Sequence, residues 1–302
     1  MGALDAAALH PGLQEPGLAR HHFAEAAALR AAVTERLRQE LRAADFTPYL
    51  VHNTTSSLLA VLFAASASGR TVRTCGPDDR HYPAYAGILP RGGPDAEWEL
   101  RTHVSPLTGT VDNLAEDGDG EVGAGVRIVD AAQSLGTALT SAALSRGDVV
   151  LAPLHKHLGL AVGLGLALVR SSRPELEHVH RVLGVAESGA QSLDPLRTAE
   201  RALCEAEGRI FNRAVIDVDD GLRAWCAQHG MRLLNRGQGV PFACVTTADG
   251  SAVAERLAPS GWRHFRTGNT ARFAFHSPGF ADDPPADHTT AFQEALTRAL
   301  QG

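Results

Sequence analysis

Residues 125–136, GVRIVDAAQSLG, join a continuous apolar run to an aspartate and then to small and polar residues. The apolar run indicates a buried strand, and Asp130 stands where that strand ends. The next apolar run, DVVLAPL at residues 148–154, indicates a second buried strand, which is followed directly by His155 and Lys156. Because functional residues gather at the carboxyl ends of parallel strands, we expect Asp130 and Lys156 to meet at one sheet edge.

Strands and helices alternate along the rest of the chain. A helix is predicted over residues 22–44, and a strand before NTTSS (residues 53–57) leads into a helix from about Ser56. This alternation predicts an α/β fold with a mainly parallel sheet. Residues 171–195 are predicted to be rich in loops, and residues 195–230 are predicted to be helical. A change to smaller elements predicts a large domain over residues 1–212 and a small C-terminal α/β domain over residues 213–302.

Composition narrows the classes of function. The net charge is −6 and no basic stripe is present, so nucleic acid is not an expected partner. The longest apolar run, residues 158–169, contains three glycines and is too short to cross a membrane. The N-terminus shows no secretory signal pattern, and the cysteines have no C-x-x-C spacing, so we expect a cytoplasmic protein with free thiols.

The groups expected at the sheet edge suit one cofactor. Lys156 offers an amine, Asp130 a carboxylate, and Thr54 and Thr55 offer hydroxyls at a helix start. These are the groups needed to hold pyridoxal 5′-phosphate (PLP), because the amine bonds to its aldehyde, the carboxylate keeps its ring nitrogen protonated, and helix-end amides bind phosphate. Simpler interpretations also exist: Asp130 as a helix cap, NTTSS as a capping box, and Lys156 as a surface residue between two histidines. No carboxylate or cysteine near those histidines completes a metal shell, so no metal is predicted.

The quoted stretches resemble the class V aminotransferase family of fold type I PLP-dependent enzymes. The resemblance rests on the D-A-A-Q tetrad at residues 130–133, the His-Lys pair at 155–156, the glycine-rich turn after it, and NTTSS. It implies a fold type I α/β architecture, a homodimer, and an amino acid as the small-molecule substrate. It also implies the following site: Lys156 as the Schiff-base lysine, Asp130 on the pyridine nitrogen, Gln133 on the ring hydroxyl, and His155, Thr54 and Thr55 at the phosphate.

Two further segments carry the resemblance. The segment DDRHYPAY (residues 78–85) offers His81 or Tyr82 as the ring that stacks on the cofactor, and His81 is preferred. The segment TARFAFHSPGFADD (residues 270–283) is similar to the segment whose arginine binds the substrate carboxylate, here Arg272. In an alternating strand, Phe273 faces away from Arg272 and can pack into the small domain's core. Arg266 and Arg20 are the rival arginines.

The sequence also departs from the family's pattern. Pro153 stands where the family often has a serine, and Pro106 replaces an asparagine that contacts the ring. No cysteine lies shortly before Arg272, and Cys244 is far upstream, so desulfurase activity is not expected. The resemblance therefore implies an aminotransferase or a β-eliminating C–S lyase, with an amino-acid epimerase or a degenerate PLP-binding module as alternatives.

Overall fold

The computed structural model describes a set of residues that form two sheets and seven α-helices. The described residues are 16–76, 80–90, 92–93, 95–114, 125–156, 158, 160, 163–188, 192–205, 215–216, 218–236, 239–247, 262–267, 269–275 and 288–301. The helices are α1 (Pro16–Glu40), α2 (Thr54–Ala67), α3 (Thr140–Arg146), α4 (Glu177–Ser188), α5 (Leu193–Glu205), α6 (Asp220–Gln228) and α7 (His288–Gln301). None of them, within this described part of the chain, combines the length and apolarity required to cross a membrane.

The larger sheet holds six strands. They are β1 (Phe46–Val51), β2 (Val72–Cys75), β3 (Trp98–Thr102), β4 (Val126–Asp130), β5 (Val149–Pro153) and β6 (Gly165–Arg170). Their order is β1-β6-β5-β4-β3-β2, and β2 to β5 are mutually parallel while β6 is antiparallel to both of its neighbours. Because β1 is antiparallel to β6, it runs in the same direction as β2 to β5. The predicted mainly parallel sheet is therefore confirmed.

This topology decides which residues share an edge. The carboxyl ends of β1 to β5 and the first residue of β6 all lie at the same side of the sheet. Residues that follow β1, end β4 and follow β5 therefore meet there, as expected from the sequence. Both faces of the sheet are covered: α1 and α5 pack on one side and α2 and α4 on the other, which explains why β5 is buried at every position.

The smaller sheet is antiparallel. Its strands are β7 (Arg232–Leu233), β8 (Ala243–Thr246), β9 (Trp262–Thr267) and β10 (Thr270–Phe275), in the order β7-β8-β10-β9. One face packs against α6 and α7, with Phe273 of β10 and Phe292 of α7 fully buried together. The boundary predicted between residues 212 and 213 lies outside the described residues.

Two predictions about secondary structure are wrong. Residues 171–195 are not mainly loop, because α4 occupies Glu177–Ser188 and α5 begins at Leu193. Leu176, Val179 and Leu183 are buried at helical spacing, a pattern that the polar residues around them obscured. Residues 195–230 are not continuously helical either, because Ile216 is extended and pairs with Val240.

Candidate active site

Asp130 ends β4 in a buried position at the common edge. Only 5% of its surface is exposed, and its Oδ1 accepts a hydrogen bond from the Ala132 amide at 2.9 Å. The carboxylate thus caps a turn and not a helix, since the next helix begins ten residues later at Thr140. Burial raises the pKa of Asp130, while the Ala132 amide and the charge of Lys156 act in the opposite direction. A cationic ligand at this carboxylate would therefore be strongly favoured.

Lys156 lies on the loop between β5 and β6. The base of that loop is closed by the Leu154 amide, which donates to the Leu164 carbonyl at 2.8 Å. From there the Lys156 Nζ reaches the turn that follows Asp130 and donates to the Ala132 carbonyl at 2.8 Å. The structure therefore places the amine beside the turn that carries the buried carboxylate.

The other predicted residues of these two segments lie nearby in the chain. Gln133 is 9% exposed and belongs to the same turn as Asp130. His155 is half-buried beside Lys156, whereas His157 and Gly159 lie outside the described residues. Within the described part of the chain, no group of three metal-binding side chains is clustered.

The turn before α2 presents a hydroxyl toward the same edge. Asn53 caps α2, because its Oδ1 accepts from the Ser56 amide at 2.8 Å. This leaves Thr54 free of the capping role: its side chain is buried, and its Oγ1 has no hydrogen-bond partner among the described residues. The capping interpretation of NTTSS therefore applies to Asn53, and the Thr54 hydroxyl remains available at the start of a helix.

Gly165 brings β6 against this turn. A Cβ at residue 165 would lie 2.4 Å from the carbonyl carbon of Asn53 and 2.8 Å from the Thr54 nitrogen. A side chain cannot fit between these backbones, so glycine is required for the close approach. The sequence signal of this glycine was weak, because glycine often stands at the start of a strand.

His81, and not Tyr82, lies against the sheet edge. The His81 side chain is 2% exposed, and its Nδ1 lies 2.7 Å from the Thr102 hydroxyl oxygen. Thr102 ends β3 and is in register with Asp130 on β4. Tyr82 is 37% exposed. The structure thus brings the imidazole of His81 beside the strand end that carries Asp130.

Tyr85 is a site residue that sequence reasoning missed. Its side chain is buried, and burial together with the charge of Asp130 raises its pKa, whereas the Thr55 hydroxyl lowers it. Its ring packs edge-to-face on Tyr82 with the centroids 5.4 Å apart. Tyr85 therefore connects the segment of His81 with the start of α2, and only the pair of tyrosines around Pro83 in the sequence could have suggested it.

His103 was also missed. It directly follows β3, is 1% exposed, and its Nδ1 lies 2.9 Å from the Ser134 hydroxyl oxygen. Its amide donates to the Asp130 carbonyl at 3.0 Å. Burial lowers the pKa of His103 to about 4, so the ring is neutral near pH 7. We assign it to the support of the Asp130 turn.

Arg272 approaches this edge from the smaller sheet. Its Nη1 donates to the Pro106 carbonyl at 3.3 Å, and its guanidinium lies 5.3 Å from the centroid of the Phe242 ring. Burial lowers its pKa. The neighbouring Phe273 points into the small core, which confirms the alternation predicted for β10. The side chains of Arg266 and Arg20 lie outside the described residues.

The two prolines that depart from the family's pattern have identifiable positions. Pro153 is the last residue of β5 and is in register with Gly165 on β6. Pro106 lies in the segment after β3, where Val104 bridges to Val111, and supplies the carbonyl that accepts from Arg272. Pro106 thus still contacts a predicted site residue, Arg272, but through its backbone carbonyl.

Together these positions bring groups of different chemistry to the carboxyl edge of the larger sheet. An amine lies beside the turn of a buried carboxylate, a helix start with an unpaired hydroxyl follows β1, and an arginine from the second sheet contacts the segment after β3. The helix start suits a phosphate and the guanidinium suits a carboxylate. Such an arrangement can hold an anionic aromatic aldehyde and an amino acid side by side.

Comparisons with known proteins agree with this architecture. A family model described as a family of unknown function, DUF6024, matches residues 4–301. No curated protein matches the sequence. An alanine–glyoxylate aminotransferase from Nostoc sp. is 17% identical and has a TM-score of 0.61, covering 91% of this chain and 86% of its own. An aspartate aminotransferase from Thermus thermophilus is 15% identical with a TM-score of 0.60, covering 91% of both chains.

A third similar solved structure contains a bound PLP derivative. The serine palmitoyltransferase of S. paucimobilis, with a bound PLP–myriocin aldimine, is 16% identical and has a TM-score of 0.59. The match covers 90% of this chain and 77% of that one. At such low identity these likenesses concern the fold, and they confirm the predicted fold class: the transferase fold with a mainly parallel central sheet.

Proposed function

Because this chain belongs to the DUF6024 family and has the fold of these transferases, we propose that it is a PLP-dependent enzyme acting on an amino acid. The observation that carries the proposal is the position of Lys156, whose Nζ donates to the carbonyl two residues beyond buried Asp130. A lysine amine and a buried carboxylate at the carboxyl edge of a parallel sheet are the two groups that this cofactor requires.

The described residues fit the cofactor. The unpaired Oγ1 of Thr54, at the first turn of α2, provides a phosphate donor together with helix-end amides. The backbone approach at Gly165 holds that turn against the sheet. Lys156 would bond covalently to the cofactor's aldehyde carbon, Asp130 would bind the ring nitrogen, and His81 would cover one ring face. Gln133, His155 and Thr55 are proposed as further contacts.

Each of these residues of the chain would then have a separate role in the reaction. When bound, PLP supplies a ring that withdraws electrons from the substrate's α-carbon. Asp130 would keep a proton on the ring nitrogen, and its buried position would strengthen that ion pair because the local dielectric constant is low. Arg272 would bind the substrate carboxylate and thereby orient the α-proton toward Lys156, whose Nζ, once replaced on the aldehyde carbon by the substrate's amino group, would accept that proton.

The reaction type is the finer part of the proposal. Lys156 would move the proton in either reaction. An aminotransferase would pass the substrate's amino group to a keto acid, whereas a β-eliminating lyase would release the β-substituent together with ammonia and a keto acid. We propose an aminotransferase or a β-eliminating C–S lyase of the class V type, working as a homodimer. Incubation of the purified protein with a panel of amino acids, with and without a keto acid acceptor, would separate the two through amino-group transfer or ammonia release.

Borohydride trapping tests the cofactor assignment directly. The purified protein should show an absorbance band from bound PLP, and reduction with borohydride followed by peptide mapping should place the adduct on Lys156. The Lys156→Ala variant is the matched control and should carry no adduct. Lys156 is the only lysine of the sequence. An adduct on any other group, such as the N-terminal amine, or the absence of a cofactor band in protein supplied with PLP, would refute the assignment.

A further inference from the structure

We propose that the ion pair between Arg80 and Asp112 is a positioning device that holds His81 over the cofactor ring, an inference that rests on the function proposed above. His81 follows Arg80 directly in the chain. The location of its ring therefore depends on how the segment that starts at Arg80 is anchored. Two anchors are present in the structure, one on each side of the peptide bond that joins the two residues.

The first anchor is the carboxylate of Asp112. It is buried and accepts hydrogen bonds from Arg80 Nη1 at 2.5 Å and from the Leu114 amide at 2.9 Å. Arg101 is also buried, and its Nη1 lies 3.4 Å from Asp112 Oδ1, the oxygen that accepts from the Leu114 amide. The Asp112 amide donates to the His103 carbonyl at 2.7 Å. The carboxylate is therefore fixed relative to β3, which also carries the second anchor.

The side chain of Arg80 has little room to move. Gly76 follows β2 with a φ of +93°, and a Cβ at this position would lie 3.0 Å from Arg80 Cδ. The stem of Arg80 thus packs over the backbone of Gly76 while its guanidinium contacts Asp112. The side chain of Arg80 is thus held between Gly76 and the carboxylate, and its removal releases the segment while Arg101 still balances the charge of Asp112.

The second anchor acts on the ring of His81 itself. Its Nδ1 lies 2.7 Å from the hydroxyl oxygen of Thr102, the last residue of β3. This contact holds one atom of the ring at the end of β3. Because the neighbouring residue Arg80 is held by Asp112, the backbone that carries the ring is anchored as well as the ring itself. Asp112 and Arg80 are therefore positioning residues, which act through His81.

The test uses two changes at Arg80 and one matched control. Arg80→Met keeps the stem over Gly76 and removes the charge, whereas Arg80→Lys restores a charge. Arg73→Met is the control, because Arg73, on β2, also forms an ion pair with a partly buried carboxylate, Glu99 at 3.3 Å, but is not next to His81. Each variant is measured in two states. In the cofactor-free protein, the hydrogen exchange of residues 80–85 is followed. With PLP added, the dissociation constant and the absorbance band of the bound cofactor are measured.

We expect Arg80→Met to speed exchange in residues 80–85, to weaken PLP binding at least tenfold and to shift the absorbance band. Arg80→Lys should lie between this variant and the wild type, and Arg73→Met should resemble the wild type. In a His81→Ala background, Arg80→Met should weaken PLP binding no further, because the ring through which it acts is gone. A general structural role would instead lower affinity equally in both backgrounds.

Two kinds of failure are distinguishable. If the wild-type protein binds PLP but Arg80→Met has wild-type hydrogen exchange, PLP affinity and absorbance spectrum, this inference alone is overturned. Equal effects of Arg80→Met with and without His81 overturn it as well. A wild-type protein that binds no PLP refutes the proposed function and this inference with it. If Arg80→Met fails to fold, Arg80→Lys still decides, because wild-type behaviour of that variant in every readout contradicts the intermediate effect expected of it.

Discussion

Gly165 offers a sharp test of how the start of α2 is held in place. In Gly165→Ala the new Cβ would lie 2.4 Å from the Asn53 carbonyl carbon and 2.8 Å from the Thr54 nitrogen. Both atoms belong to the backbone, so no side chain can rotate away, and β6 must separate from the turn before α2. Gly184, inside α4, is a matched control because a Cβ there meets nothing within 4 Å.

The same chemical change should therefore have opposite effects at the two positions. Overpacking of this kind costs about 1–3 kcal/mol, so Gly165→Ala should lower the free energy of unfolding by that amount. Alanine in place of glycine within a helix stabilises by about 0.5–1 kcal/mol, so Gly184→Ala should raise it. Urea denaturation of the cofactor-free proteins, followed by circular dichroism, measures both values.

Cofactor binding provides the second readout. Displacement of the Thr54 amide and hydroxyl should weaken PLP binding at least roughly tenfold in Gly165→Ala, which corresponds to about 1.4 kcal/mol. Gly184→Ala should bind PLP as the wild type does. If Gly165→Ala has wild-type stability and a wild-type dissociation constant, the backbone contact between β6 and the phosphate turn does not hold the site.

Four more outcomes are expected. Asp130→Asn should keep the fold but lose most turnover, because an amide cannot hold a proton on the ring nitrogen; wild-type turnover would contradict this. In the cofactor-free protein, burial raises the pKa of Asp130, so the stability it contributes is present at low pH and is lost as pH rises above the ordinary value of about 3.9. The melting temperature of Asp130→Asn should therefore exceed that of the wild type increasingly as pH rises from about 3 to 7. Arg272→Ala should lower kcat/KM for amino-acid substrates at least roughly tenfold, since a charge-assisted hydrogen bond contributes about 1.5–3 kcal/mol. PLP loading should be unchanged. If Arg272→Ala keeps its kcat/KM and Arg266→Ala loses it, the carboxylate site belongs to Arg266. Incubation with cysteine should leave no persulfide on Cys244, because that thiol is fully buried and its pKa is raised to about 12; mass spectrometry would detect one.

Much of the candidate site could be predicted because its residues stand at the ends of local patterns. Two buried strands are indicated by two continuous apolar runs, one that ends at Asp130 and one that is followed by His155 and Lys156. This indication depends only on neighbouring residues. Once those strands are parallel, their carboxyl ends must share an edge. Likewise, alternation in β10 separates Arg272 from Phe273, since successive side chains of a strand point to opposite faces.

Other features depended on contacts between distant segments. The antiparallel direction of β6 follows from its pairing with β5 and β1, and an apolar run carries no direction. The need for glycine at residue 165 arises from the backbone of Asn53, which reaches it only in the folded chain. The contact between Arg80 and Asp112 likewise joins residues from two separate connections of the sheet.

The sequence by itself determined the strand ends, the α/β class and the chemical groups gathered at one edge, because periodicity and strand termination are properties of neighbouring residues. The tertiary structure alone decided which of His81 and Tyr82 lies against β3, that Tyr85 and His103 support the site, and that Pro106 contributes a carbonyl to Arg272. These outcomes depend on strand register and on packing between the two sheets, and neither is encoded in the spacing of residues along the chain.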